Sequence, residues 1–221
     1  MRITALKQVL SVIAVSAVTM LGAGPATAVN PVGCTGPVNT IFHLDNDGVN
    51  FTLNPIAPGP GSAKFLDSPV LKRTSANPYI EIEEWEDGYV GFTVAECALD
   101  SFSPLHVWLG LRNSDDQGTN FDLKADVYFK SYLPGSSAVL VSTAEQLCIK
   151  GLTRNPALAQ EVIMSLPVAS YVVGDGEFSL KLSARIGSPA CGGHASATGL
   201  RVYYDSADRD SRFDVTFGPD I

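Results

Sequence analysis

Phe121-Asp122-Leu123-Lys124-Ala125-Asp126-Val127-Tyr128-Phe129 decides the fold class. Phe121, Leu123, Ala125, Val127 and Phe129 fall on every second position, with Asp122, Lys124, Asp126 and Tyr128 between them. Successive side chains of a strand point to opposite faces, so this period of two describes a strand with one dry face and one wet face. The same alternation recurs in 105–111, where Leu105, Val107, Leu109 and Leu111 oppose His106 and Trp108. It returns in 178–186, 200–204 and 213–217. One buried and one solvated face per strand is the signature of antiparallel sheet.

Outward from these segments the pattern weakens without changing kind. Shorter strands are expected at 39–44, 49–53, 79–85, 89–95, 139–141, 146–150 and 162–166. Turn residues separate them, at Asp87-Gly88, 115–118, Pro134-Gly135 and 174–176. No long segment keeps a helical period, although 155–161, with Pro156 near its start, suits one helical turn. About ten strands, most with an apolar face, need two packed sheets. The expected fold is therefore all-β, an antiparallel two-sheet β-sandwich of jelly-roll type, filling one domain over 29–221.

The first 28 residues read as an address. Arg2 and Lys7 charge the front, an apolar run spans 9–21, and Ala26-Thr27-Ala28 offers a small-residue cleavage site. This is the order of a secretory signal peptide, and the run is too short and wrongly flanked to span a membrane. The mature chain is expected to start near Val29, secreted or periplasmic, with no membrane span. The formal net charge is −8, or −10 once the two basic residues of the leader are set aside. No cluster of Lys and Arg offsets it, so nucleic acid is not an expected partner.

All four cysteines, Cys34, Cys97, Cys148 and Cys191, follow the cleavage site. An even set in an exported chain reads as two disulfides, for which three connectivities exist. The pairing adopted as the expectation is Cys148–Cys191 with Cys34–Cys97. No CxxC pair is present, which argues against a zinc ribbon or a thioredoxin-like site.

Catalytic patterns are missing from the sequence. His43, His106 and His194 lack the spacing of a recognised zinc site, even with Asp45 and Asp47 beside His43. No G-x-S-x-G elbow is present. Glu81, Glu83, Glu84, Glu86 and Asp87 could supply paired carboxylates, but their alternation with Ile80 and Ile82 reads as the solvated face of a strand. An enzyme is not expected.

Calcium is the ion the sequence suits best. The loop 113–122 packs oxygen donors around Gly118, and Asp115, Asp116 and Asp122 are its candidate ligands. Asp45-Asn46-Asp47-Gly48 is a second such loop, and both also suit plain hairpin turns. On the outward phase of their strands lie Trp108, Tyr128 and Tyr203, with His106 beside Trp108. Outward aromatics can stack on sugar rings or anchor a protein, and they can equally pack as cross-strand pairs.

Taken in order, His106-Val107-Trp108-Leu109-Gly110-Leu111-Arg112-Asn113-Ser114-Asp115-Asp116-Gln117-Gly118, Gly151-Leu152-Thr153-Arg154-Asn155-Pro156, Arg185-Ile186-Gly187, Cys191-Gly192-Gly193-His194 and Gly199-Leu200-Arg201-Val202-Tyr203-Tyr204-Asp205 form a specific set. Over about 79–217 the chain resembles a group of exported bacterial proteins, sometimes fused ahead of other extracellular modules. The resemblance implies a secreted all-β domain and brings no activity or catalytic residue. In such relatives the pair matching Cys148 and Cys191 recurs. The functional expectation is a non-catalytic binding or surface-associated module, with polysaccharide or an envelope component as favoured partner. A structural or protein-interaction role stands second and a secreted hydrolase third.

Overall fold

Two of the alternating segments pair along their whole length. In the computed structural model, which describes residues 37–89, 97–113, 117–170, 172 and 175–219, β7 (Phe121–Ser131) and β10 (Gly176–Ile186) run antiparallel in unbroken register, from Gly176 opposite Ser131 to Ile186 opposite Phe121. On their dry face Phe129 meets Phe178, Val127 meets Leu180 and Leu123 meets Ala184. A one-residue slip would turn this whole set to solvent, so the hydrophobic pattern fixes the register.

The remaining strands are β1 (Val38–Asn46), β2 (Phe51–Asn54), β3 (Lys64–Asp67), β4 (Ile80–Tyr89), β5 (Cys97–Phe102), β6 (Leu105–Leu111), β8 (Val139–Ile149), β9 (Gln160–Met164), β11 (Leu200–Tyr204) and β12 (Arg212–Pro219). Among the described residues there is no α-helix, only two 3-10 turns, at Pro156–Leu158 and Pro189–Cys191. The first falls in the segment expected to turn and is capped by the Asn155 side chain, which accepts from the Ala157 N–H. The strands form one open, mostly antiparallel sheet in the order β3-β11-β6-β12-β1-β2-β4-β10-β7-β8, with β5 added on β12 and β9 on β6. Its middle is a single parallel contact, Thr52 of β2 opposite Glu86 of β4.

The core gathers buried side chains from strands far apart on this path. Phe178 of β10 has its ring centroid 6.1 Å from Phe42 on β1, 6.1 Å from Phe102 on β5 and 6.0 Å from Phe217 on β12, none of them hydrogen-bonded neighbours of its strand. Trp85, Leu109, Leu180 and Val215 are equally shielded from solvent. At Gly88 on β4 a Cβ would stand 2.8 Å from the Phe178 carbonyl oxygen and 2.9 Å from Leu53 Cδ1, so only glycine lets these three strands approach.

The structure corrects several expectations. Asp87-Gly88 is not a turn: β4 continues through it to Tyr89, and a β-bulge takes its place. Gly88 lies opposite Phe178 and Trp85 opposite Leu180, so Glu86 and Asp87 together face Ser179. Asp87 adopts φ +58°, a left-handed conformation that Asp tolerates. Strands β3 and β5 are additions to the expected set. Among the described residues one disulfide is formed, Cys148–Cys191, with Cα atoms 5.2 Å apart. Cys97 is buried in the core, while Cys34, its expected partner, lies outside the described residues, as does the leader.

Phe178→Ala would empty the contact of β10 with β1, β5 and β12. The expected cost is about 3–5 kcal/mol, read as a lower urea midpoint. A loss under about 1 kcal/mol would mean that the ring does not bridge them.

Candidate functional site

The three aromatics expected on outward strand positions do not form one exposed face. Trp108 on β6 is half-buried and lies opposite Tyr203 on β11, but Tyr203 is only 1% exposed. Phe65 of β3 packs edge-on at 6.3 Å, and the Arg209 guanidinium lies 6.0 Å from the Tyr203 ring centroid. Tyr203 therefore leaves the set of candidate contact residues. Tyr128 stands on β7, far along the strand order from both.

The calcium reading loses one of its ligands. Asp122 is 1% exposed, and its carboxylate accepts from Arg185 Nε at 2.9 Å and from the Cys148 N–H at 2.9 Å. An acid committed to a guanidinium and a backbone donor is a structural anchor for the disulfide loop. Asp115 and Asp116 lie outside the described residues. Asp122 and the sulfurs of Cys148 and Cys191 do lie close together, but the sulfurs are bonded to each other. In the second loop Asp47 accepts from the Val49 and Asn50 N–H groups, at 2.7 and 2.8 Å, and these bonds hold its carboxyl below the usual value. That is an ordinary turn.

His106 is half-buried beside Trp108, with Nδ1 2.8 Å from Glu161 Oε1 on β9. Across β12 lies a second histidine–carboxylate pair, one that spacing along the chain did not reveal. His43 on β1 and His106 on β6 both lie opposite Arg212, and buried His43 places Nδ1 2.6 Å from Asp210 Oδ1. Arg212 holds the other oxygen of Asp210 at 2.6 Å. Burial pushes the Asp210 carboxyl up, but the bonds from His43 and Arg212 outweigh it and leave the group below its ordinary value.

The opposite end of the strand order carries the better-formed site. A cleft of 260 Å³ opens on the wet face of β4, β10 and β7, lined by Glu84, Glu86, Asp87, Glu177, Ser179, Tyr128 and Lys130. Alternation explains the set. Glu177 and Ser179 are two apart on β10, opposite Lys130 and Tyr128 on β7, and the bulge adds Glu86 and Asp87 from β4.

Several of these groups hold one another. Ser179 Oγ donates to Glu84 Oε1 at 2.8 Å, and Lys181 Nζ lies 3.1 Å from Glu84 Oε2 and 3.2 Å from Glu81. The same ammonium stands 5.9 Å from the Tyr128 ring centroid. These bonds, that to Glu84 first, raise the Lys181 pKa. Lys130 Nζ lies 3.1 Å from Glu177 Oε1, and Tyr132 donates its hydroxyl to Glu177 Oε2 at 3.4 Å.

Two tyrosines flank Glu177 outside this lining, Tyr132 through that bond and Tyr89 opposite it on β4. They are 48% and 47% exposed, with ring centroids 6.0 Å apart. Burial, then the charges of Glu177 and Asp175, push the Tyr132 phenol up to about 12, so it remains a donor at neutral pH. Sequence reading passed over both: Tyr89 begins a segment expected to be a new strand, and Tyr132 follows a strand as if in a loop. The cleft thus offers aromatic faces, hydroxyls, carboxylates and an ammonium within one concavity, which suits a small polar ligand with an apolar side.

No protein-family model and no curated protein matches this chain. Among solved structures it is similar to an aminopeptidase from the marine sediment archaeon Thaumarchaeota archaeon, at 9% identity and a TM-score of 0.51, over 81% of this chain and 37% of that one. It is also similar to a CocE/NonD family hydrolase from Staphylococcus aureus, at 14% identity and a TM-score of 0.45, over 82% and 37% of the two chains. A chain of infectious bursal disease virus, Gt strain, follows at 11% identity and a TM-score of 0.34, over 85% and 39%. The likeness to the archaeal enzyme is one of fold alone. This chain spans little more than a third of the length of these structures.

The Asp210 geometry sets a pH dependence. A carboxylate whose folded pKa is depressed contributes stability in full above its ordinary value of 3.8, and that contribution is lost as pH falls through the lower folded value. Asp210→Ala is expected to lower the melting temperature at neutral pH, with the gap to the parent narrowing below about pH 3. An undiminished gap there would show that the pair contributes nothing through charge.

Proposed function

We propose that this protein is a secreted, non-catalytic binding module whose Tyr128 cleft takes a carbohydrate or a glycan of the cell envelope. The observation that carries this reading is the cleft itself, lined by Tyr128 and polar groups, with two half-exposed tyrosine rings beside its Glu177. Sugars present C–H faces that stack on aromatic rings, and hydroxyls that pair with carboxylates and ammonium groups. The leader and the Cys148–Cys191 bridge support export to an oxidising compartment, secreted or periplasmic. No helix among the described residues is long and apolar enough to cross a membrane. The contacts of Phe178 with Phe42, Phe102 and Phe217 support a finer reading of the fold, two packed sheets of jelly-roll type.

A protein partner is the second reading, favoured by one observation. Leu133, Val139 and Leu140, at the β7–β8 hairpin beside the cleft, are exposed, and grouped apolar side chains mark contact surfaces.

Binding of the oxidised full chain to a panel of polysaccharides and envelope glycans separates the two. Saturable glycan binding is expected, and Tyr128→Ala and Tyr132→Ala should each weaken it about twofold to tenfold. Binding unaffected by either change but lost in Trp108→Ala would move the site to the His106 face. No glycan binding by a folded sample would favour the protein partner.

A further inference from the structure

The cleft holds more carboxylates than the chain neutralises. Glu84 is engaged by Ser179 and Lys181, and Glu177 by Lys130 and Tyr132. Among the described residues, no cation or donor meets the side chains of Glu86 and Asp87, the two bulge residues that face Ser179. Acidic side chains alone would be an ordinary solvated surface. Here they line a 260 Å³ concavity together with Tyr128, Lys130, Ser179 and Glu177, and Glu177 accepts from Tyr132, whose ring lies 6.0 Å from that of Tyr89.

We propose, resting on the reading of this cleft as a glycan site, that it selects glycans bearing free amino groups, of the glucosamine type, over their N-acetylated and acidic counterparts. The protein already accommodates an ammonium in this manner: Lys181 bridges Glu81 and Glu84 while lying over the Tyr128 ring. A ligand ammonium beside Glu86 and Asp87 repeats that pairing with two carboxylates, at a place where no cation meets them among the described residues. The sugar ring supplies the apolar face for the tyrosines. A uronate or phosphate group would meet like charge. Because Glu86 and Asp87 are exposed, the preference is several-fold and is screened by salt.

Titration calorimetry of the full chain with glucosamine tetramers and N-acetylglucosamine tetramers tests this. The amine form is expected to bind about threefold to tenfold more tightly at low salt, with the ratio falling toward one at about 0.5 M salt. The paired change Glu86→Gln and Asp87→Asn, chosen because Asn tolerates the positive φ of residue 87, should abolish the ratio. Equal binding of both tetramers by the parent overturns the amine preference and leaves the glycan reading standing. Binding of neither overturns both. A ratio that persists in the folded double variant overturns the assignment to Glu86 and Asp87. Tetralysine binding as tightly as the glucosamine tetramer would show that charge alone is recognised, and would overturn glycan selection.

Discussion

The pairing of β10 with β7 ties the core to the cleft. Phe178 sits on the dry face of β10 and reaches strands from the far half of the sheet path. Its neighbours Glu177 and Ser179 sit on the wet face and line the cleft. Because side chains alternate, any shift that unseats Phe178 also removes Glu177 and Ser179 from their places opposite Lys130 and Tyr128. Hydrophobic burial therefore positions the polar site, and the site needs no separate framework. The bulge of β4 opposite Ser179 departs from this regularity, and it brings two extra carboxylates to the cleft.

Away from the cleft, acids on the wet faces are largely structural. Asp122 anchors Arg185 and the Cys148 backbone, and Asp126 receives Lys124 and Thr143. Asp67 takes a two-pronged bond from Arg201, whose guanidinium lies over Phe65. Each is a charge-assisted bond that restrains a strand neighbour, strongest where burial excludes water. Against that background Glu86 and Asp87, which no cation meets among the described residues, are distinct. They lie at the bulge, where two residues of β4 face the single Ser179 of β10.

Much of the fold was legible because period-two alternation is a local property. The strands at 121–129, 178–186 and 105–111 were readable with their inward faces, and so was the pairing of Cys148 with Cys191. Strands β3 and β5 escaped notice because Lys64-Phe65-Leu66-Asp67 and Cys97-Ala98-Leu99-Asp100 show no sustained alternation; they are strands because β11 and β12 offer them open edges. Asp87-Gly88 has the composition of a turn, and only the register against β10 makes it a bulge. Tyr203 and Asp122 were placed on the correct face and still misread. Alternation says which way a side chain points and nothing about what covers it.

The sequence by itself determined an all-β chain with defined inward faces, an acidic balance and the cysteines of one bridge, since each follows from residue type and spacing along the chain. The tertiary structure decided which outward residues meet. It separated Trp108 from Tyr128, buried Tyr203 and Asp122, and joined Tyr128 to Glu84, Glu177 and Lys130 across three strands. Those encounters depend on strand order and on one bulge. Both are set by how the dry faces pack, through contacts between residues far apart in the chain.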